Sequence, residues 1–330
     1  MSVPKTMKAA VYRRYGPPAV VRVIDWPTPI PKQSEVLIRV RASTVSSADW
    51  RMRTLSVPRG FGLFARPAFG FFGPRKPILG LELAGEIVEV GPRVTQFKLG
   101  DRVFAFPGIA LGGHAQYRAM PEDGRIVLMP RDFTFDQAAA LSFGGSTALY
   151  FLRDRGKVAP GEEVLVVGAS GSVGSAAVQI AKHLGAKVTG VTSTANCEIV
   201  TKLGAHHVVD YTAQDIFKLP KKYDVVFDTV GKSMFSDWQQ TLKDGGRMLM
   251  AAGSVPQMIQ SAWAARKTTK KILIGNTPET VEQLRDLKAL AESGAFNPLI
   301  HRTYPLEQIA QAHAEVETGH KRGNIVIKMD

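Results

Sequence analysis

The most informative stretch of this sequence is Val164-Leu165-Val166-Val167-Gly168-Ala169-Ser170-Gly171-Ser172-Val173-Gly174. Its four leading apolar residues predict a buried strand, and the glycines predict a tight turn. A helix with one apolar face is predicted to open after Gly174, because apolar residues recur at helical spacing: Val173, Ala177, Ile180, Ala181 and Leu184. A glycine loop between a strand and a helix predicts a dinucleotide site. There Gly171 lets the backbone approach a pyrophosphate on the helix N-terminus, and Gly174 lets the helix pack on the strand.

Strand-like and helical segments alternate on both sides of this loop. The segments are Glu163–Val167, Ser175–Leu184, Lys187–Thr192, Asn196–Leu203, His207–Asp210, Tyr223–Asp228, a helix over Lys232–Leu242, strand Arg247–Ala251 and Lys271–Ile274. This β-α-β alternation predicts an α/β fold, a Rossmann doubly wound parallel sheet.

The residues before and after that sheet predict a second, β-rich unit. Short β-segments broken by Pro and Gly precede it: Met7–Tyr12, Glu35–Ala42, Leu83–Val90, Arg102–Phe106, Tyr117–Met120 and Arg125–Met129. Two helices, Pro278–Ser293 and Pro305–Thr318, and a strand, Asn324–Ile327, follow it. We expect a barrel-like domain over 1–132, a dinucleotide-binding domain over 133–275, and a return to the first domain over 276–330.

Composition narrows the function further. The 330 residues carry a net charge of +13 and are 45% hydrophobic, a globular composition with enough apolar mass for two cores. Basic residues are spread along the chain without a nucleic-acid-binding motif, so an anionic small ligand is the simpler explanation of the charge and a nucleic-acid role is disfavoured. The single cysteine, Cys197, excludes an internal disulfide and any zinc site built on two or more cysteines. The opening residues lack a signal-peptide core and no run predicts a membrane span, so we expect a cytoplasmic protein.

The second strand of the sheet bears on which cofactor the loop binds. It ends at Thr192-Ser193-Thr194-Ala195-Asn196, and no carboxylate follows until Glu198. An NAD site usually places Asp or Glu here, whereas hydroxyl donors without negative charge suit a 2′-phosphate. The sequence therefore favours NADP(H). We expect Tyr211 and a distant basic residue, Lys321 or Arg322, to complete the pocket.

Several motifs together resemble those of the medium-chain dehydrogenase/reductase superfamily. They are, in order, Pro77–Ile87, Leu99–Val103, the glycine loop, Leu203-Gly204-Ala205, Val209-Asp210-Tyr211, Tyr223–Gly231 and Gly323–Ile327. The resemblance covers nearly the whole chain. It implies a GroES-like catalytic domain with an inserted Rossmann domain and a C-terminal return.

The departures from that family concern its metal sites. Leu81 stands where the zinc alcohol dehydrogenases carry a histidine ligand, although Glu82 remains, and Cys197 lies on the cofactor domain. The resemblance thus implies the zinc-independent, quinone oxidoreductase-like branch, with no bound metal. Without a Lewis acid, hydride delivery to an enone or a quinone is easier than oxidation of a simple alcohol.

The resemblance also implies site residues. Ser46 and Asp49 align with the family segment that faces the nicotinamide. Arg51 and Arg53 follow, and either is a candidate to polarise a substrate oxygen. Thr147 matches a threonine near the nicotinamide. The ends of the fourth and fifth Rossmann strands, where ribose and nicotinamide should lie, are Val230, Gly231, Ala252 and Gly253.

Other possibilities stay open at this point. A 2-enoyl thioester or acrylate reductase would use the excess positive charge, and a zeta-crystallin-like binding protein with weak activity is a second alternative. Residues 55–77, rich in Phe, Gly and basic residues, form either a loop pinned by buried aromatics or a lid over the substrate. Family members are usually dimers or tetramers, so we expect a homodimer or homotetramer, built through the sheet edge at Lys271–Ile274.

Overall fold

Two large β-sheets organise the chain, and the helices pack on and between them. The computed structural model describes residues 3–56, 66–67, 69–251, 254–264 and 268–329. Its strands are β1 Thr6–Val11, β2 Arg22–Pro27, β3 Glu35–Val45, β4 Leu83–Val90, β5 Arg102–Ala105, β6 Tyr117–Pro121, β7 Ile126–Leu128, β8 Glu163–Val167, β9 Lys187–Thr192, β10 His207–Asp210, β11 Tyr223–Asp228, β12 Leu242–Met250, β13 Lys271–Ile274, β14 Ile300–Pro305 and β15 Asn324–Lys328.

The α-helices are mostly short. They are α1 Ser47–Thr54, α2 Phe135–Ala139, α3 Ser142–Leu149, α4 Ser172–His183, α5 Cys197–Lys202, α6 Phe235–Trp238, α7 Val255–Ala264, α8 Val281–Glu292 and α9 Ile309–Glu317. Helix α3 continues directly into a π-helical turn, Tyr150–Arg155. Among the described residues, no helix is long and apolar enough to cross a membrane.

The six-stranded sheet is the predicted Rossmann sheet. Its strand order is β10-β9-β8-β11-β12-β13, and every pairing is parallel. The chain leaves β8 toward β9 on one side and later crosses back to β11 on the other. Strand β8 is therefore the switch point, and the crevice where such sheets bind ligands opens at its carboxyl end.

The second sheet is mixed and joins the two ends of the chain. Its order is β14-β15-β3-β4-β5-β7, with β6 also pairing β3, while β1 and β2 form a separate hairpin. The last strand, β15, runs antiparallel to β3 and parallel to β14. The expected fold class, a GroES-like unit with an inserted Rossmann sheet, is confirmed.

The structure corrects several predicted boundaries. The helix predicted over Lys232–Leu242 is only the single turn α6, because the Asp228 carboxylate accepts hydrogen bonds from the Val230 and Gly231 amides and the Ser233 hydroxyl and holds a turn there. The helix after the glycine loop begins at Ser172, not after Gly174. Strands β2 and β14 and helices α1 and α7 were not predicted.

Candidate functional site

The glycine loop closes tightly over the carboxyl end of β8. Gly168 has φ +78°, and a Cβ on Gly174 would lie 2.0 Å from the Gly168 carbonyl oxygen. Both positions therefore require glycine. Ala169 is buried, and its amide donates to the Val191 carbonyl, which joins the loop to β9. Gly174 thus allows α4 to pack closely against the end of β8.

Gly171 stands at the start of α4 and faces open space. It is the N-cap residue of that helix, and a Cβ added to it would meet only the Gly168 carbonyl oxygen, at 3.5 Å. The first amides of α4, beginning at Ser172 and Val173, lack partners within their own helix, so the loop forms a cradle that suits an anion. The sequence places the pyrophosphate of a dinucleotide at this cradle.

The C-terminal segment runs across the same loop. The Gly323 amide donates to the Ser170 carbonyl at 2.7 Å, and the Ser172 hydroxyl donates to Asn324 Oδ1 at 2.6 Å. Two consecutive points of contact tie β15, a strand of the other sheet, to the glycine loop. The cradle therefore lies at the junction of the two units.

A second turn borders the crevice at the end of β11. Asp228 is 2% exposed, and its Oδ1 accepts from the Val230 amide at 2.8 Å and the Gly231 amide at 3.0 Å. This bracing presents Val230, which is 45% exposed, toward solvent. Asp228 thus positions two of the predicted cofactor residues. The other two, Ala252 and Gly253, lie outside the described residues.

The end of β9 carries the predicted 2′-phosphate pocket. The Thr192 hydroxyl donates to the Ser170 hydroxyl at 3.0 Å, and the Ser193 hydroxyl accepts from Asn196 at 3.1 Å. Tyr211, 49% exposed, follows β10 and donates its amide to the Thr192 carbonyl. The loop, β9 and Tyr211 are therefore neighbours.

One feature of this pocket differs from the prediction, which placed no negative charge there. The Thr194 hydroxyl lies 2.5 Å from Asp210 Oδ2, at the end of β10. Hydrogen bonds from Thr194 and Thr212 lower the pKa of Asp210, so it carries its charge at neutral pH. The sequence distance between the two strands concealed this contact, although parallel neighbours end at the same edge of a sheet.

The junction itself holds a buried carboxyl group. Glu82 is 1% exposed, and its two oxygens accept from the Thr44 hydroxyl at 2.5 Å and the Phe143 amide, in α3, at 2.6 Å. Burial outweighs these hydrogen bonds and raises the pKa of Glu82 to about 7. The residue connects the start of β4 with the helix that leads into the Rossmann unit.

Lys321 contributes to the same junction. Its ammonium donates to the Gly323 carbonyl at 2.5 Å and interacts with the charges of Glu82 and Glu315. Burial lowers the pKa of Lys321 to about 8. Arg322 precedes Gly323 on the same segment. These contacts place Lys321 at the junction, beside Gly323 and Glu82, whereas the sequence prediction put it in the 2′-phosphate pocket.

The predicted catalytic hydroxyl and carboxylate form a helix cap. The Ser46 hydroxyl donates to Asp49 Oδ2 at 2.7 Å and accepts from the Asp49 amide, which makes a capping box at the start of α1. Asp49 Oδ1 accepts from the Gly80 amide at 2.9 Å, and Asp49 is fully buried. The carboxylate of Asp49 therefore anchors α1 to the segment before β4.

Two further predicted residues lie on α1 and α3. Arg51 is partly buried in α1, and burial lowers the pKa of its guanidinium. The Thr147 hydroxyl donates to the Phe143 carbonyl at 2.8 Å, one turn earlier in α3. Thr147 thus shares a helix with the amide that binds Glu82.

The residues around Leu81 bear on metal binding. Leu81 is 4% exposed and packs in the main hydrophobic core. Cys197 begins α5, on the Rossmann unit. Within the described ranges, no group of three or more His, Cys, Asp and Glu side chains is placed to hold a metal ion.

Comparison with known proteins identifies the family. Residues 32–131 match the alcohol dehydrogenase GroES-like domain, and residues 203–327 match a zinc-binding dehydrogenase family. The chain is 31% identical to an NADPH-dependent alkenal/one oxidoreductase of Arabidopsis thaliana over an alignment of 341 residues. The alignment covers 99% of this chain and 80% of that protein. It is 33% identical to a quinone oxidoreductase of Sus scrofa over 335 residues, an alignment that covers 97% of this chain and 96% of that protein.

A solved structure agrees with these relatives. The quinone oxidoreductase of Coxiella burnetii superposes with a TM-score of 0.87 at 28% identity, over 99% of this chain and 100% of that one. The chain belongs to the medium-chain dehydrogenase/reductase superfamily. Within it, this protein is an NAD(P)H-dependent oxidoreductase.

Proposed function

We propose that this protein uses NADP(H) to reduce a quinone or an α,β-unsaturated carbonyl compound without a bound metal. The observation that carries the proposal is the cradle at Gly171, open above the N-terminus of α4 and tied to the other sheet through Gly323. A dinucleotide in this cradle would lie along the junction of the two units. The named activities of the Arabidopsis and Sus scrofa relatives support this substrate class.

The residue types at the junction support the metal-free part. The family histidine ligand is replaced by Leu81, whose side chain has no donor atom, and Glu82 gives both oxygens to Thr44 and Phe143. The chain has no second cysteine to join Cys197 in a thiolate site.

The reaction needs few groups from the protein. NADPH, when bound, supplies a hydride, and the charge that develops on a conjugated substrate spreads to an oxygen that hydrogen-bond donors or solvent can stabilise. Arg51 on α1 is our candidate donor for that oxygen, since burial strengthens its interaction with an anion. Ser46 and Asp49 position α1 and therefore Arg51.

A cofactor-oxidation screen tests the proposal. NADPH and NADH are each supplied with 1,4-naphthoquinone, a 2-enone, crotonyl thioester and an acrylate, with and without a strong chelator. We expect turnover of the quinone or enone, unaffected by the chelator. Turnover restored only by added zinc would contradict the metal-free part of the proposal. Turnover confined to the thioester or the acrylate would contradict the proposed substrate class and favour a 2-enoyl thioester or acrylate reductase.

A substitution at Gly171 separates cofactor binding from folding. Gly171→Ala adds a methyl group that meets only an ordinary contact in the protein but occupies the cradle. We expect unchanged thermal unfolding and an NADPH dissociation constant raised by about tenfold or more, measured by nicotinamide fluorescence. Gly174→Ala is the matched comparison: its Cβ would collide with the Gly168 carbonyl, so it should lower stability as well. Wild-type affinity in Gly171→Ala would place the pyrophosphate elsewhere.

A further inference from the structure

The hydroxyl groups of Thr194, after β9, and Thr212, after β10, are both engaged with Asp210. The Thr194 hydroxyl donates to Asp210 Oδ2 at 2.5 Å, and the Thr212 hydroxyl donates to Oδ1 at 2.6 Å. A threonine hydroxyl has one proton and two lone pairs. Both side chains therefore offer lone pairs, not protons, to a ligand.

This orientation matters because the two nicotinamide cofactors differ at one position. A ribose 2′-hydroxyl can donate a hydrogen bond, whereas a 2′-phosphate needs donors and carries about two negative charges. The hydroxyl oxygens of Thr194 and Thr212 suit the first group. They also lie 2.9 Å from each other, a hydrogen bond in which either hydroxyl can donate, so the two protons stay within the group formed by Asp210, Thr194 and Thr212.

The charge of Asp210 acts in the same direction. The hydrogen bonds from Thr194 and Thr212 hold its pKa below the ordinary value, so the carboxylate stays ionised through the neutral range. The Thr212 amide, 2.8 Å from Oδ1, adds a third donor and fixes the carboxylate in the pocket. A phosphate placed at Thr194 would meet a like charge.

We propose that Asp210 is a specificity-determining residue that, acting directly and through Thr194 and Thr212, limits the preference for NADP(H) and lets the site accept NAD(H). This inference rests on the proposed dinucleotide site and concerns only its adenosine end. Asp210→Asn removes the like charge and replaces one of the two acceptor oxygens with an NH2 donor, so one of the two threonine hydroxyls is freed to donate to a ligand.

Binding of cofactor fragments to the full chain tests the inference without any reaction. The probes are adenosine 2′,5′-bisphosphate and adenosine 5′-monophosphate, which differ by the 2′-phosphate alone, and the measurement is isothermal titration calorimetry. In Asp210→Asn we expect the ratio of the two affinities to shift toward the 2′-phosphate by about tenfold, the size of one removed charge contact.

The control variants hold the fold and the loop constant. Asp215→Asn changes an aspartate five residues along, whose carboxylate caps the Phe217 amide at 3.0 Å, and it should keep the wild-type ratio. Asp210→Glu keeps the negative charge and should also keep the wild-type ratio of the two affinities. Thermal unfolding of each variant shows that it is folded.

The outcomes separate this inference from the proposed function. An unchanged ratio in folded Asp210→Asn overturns the role of Asp210, and so does an equal shift in Asp215→Asn. Binding of neither probe to the wild type, nor of NADPH or NADH, would instead overturn the dinucleotide site. A 2′-phosphate preference in the wild type as strong as in Asp210→Asn would likewise contradict the inference.

Discussion

Two carboxyl groups, Glu82 at the junction of the two units and Asp210 at the end of β10, accept the same kinds of hydrogen bond and have opposite pKa shifts. Glu82 accepts from a threonine hydroxyl at 2.5 Å and a backbone amide at 2.6 Å. Asp210 accepts from two threonine hydroxyls, at 2.5 and 2.6 Å, and from a backbone amide at 2.8 Å. Yet the pKa of Glu82 rises to about 7, and that of Asp210 falls below its ordinary value.

Solvent exposure accounts for the difference. Glu82 is 1% exposed, so desolvation of its charged form outweighs the hydrogen bonds, whereas Asp210 is only partly buried and the hydrogen bonds dominate its pKa. The junction thus holds a carboxyl group that can change protonation near neutrality. The end of β10 holds a carboxylate that stays negatively charged at neutral pH.

The largest expected effect comes from removing the buried carboxyl group. Glu82→Leu keeps the volume but leaves the Thr44 hydroxyl and the Phe143 amide without their acceptor in a dry site. We expect a loss of about 3–4 kcal/mol in the free energy of unfolding, since each orphaned buried donor costs about 1–3 kcal/mol. Chemical denaturation measures it. A loss below about 1 kcal/mol would show that water reaches this site too.

The pH dependence of stability is the next largest effect. The pKa of Glu82 is about 7 in the folded state and about 4.5 in the unfolded state. Between about pH 4.5 and 7 the folded protein therefore carries a proton on Glu82 that the unfolded chain has lost. Wild-type stability should fall as pH rises from about 4.5 to 7, by on the order of 3 kcal/mol relative to Glu82→Gln. Denaturation of both proteins across that range measures the difference. A constant difference would contradict the raised pKa.

Local sequence patterns predicted the parallel sheet because its strands are short apolar runs with glycine turns between them. Strands β8, β9, β10, β11 and β13 have the predicted limits. Strand β2 was missed because Arg22–Pro27, which pairs with β1, is made of exposed and partly buried residues and contains no apolar run longer than two residues. Helix α1 was missed because Ser46 and Asp49 were interpreted as catalytic residues, although their spacing is that of a capping box.

The site was less predictable than the fold because its contacts join distant parts of the chain. The glycine spacing identified the cradle, but nothing in the sequence near Gly171 indicates that Gly323 crosses it. Likewise, Glu198 was considered as the nearest carboxylate after β9, whereas the one that reaches Thr194 is Asp210, on the adjacent strand. Such pairings depend on strand order, which no local pattern contains.

The smallest expected effect is also the most direct comparison of the two carboxyl groups. Thr44→Val and Thr194→Val each remove a hydroxyl that donates to a carboxylate at 2.5 Å, and valine preserves the shape of the side chain. In the buried site we expect a loss of about 2 kcal/mol, as for a hydrogen bond to a charged group. At the exposed Thr194, water replaces the lost donor, so the change should stay within about 0.5 kcal/mol. Parallel denaturation curves at pH 8, where Glu82 is mostly ionised, measure both. Equal losses would mean that hydrogen-bond geometry, and not exposure, sets the strength of the two sites.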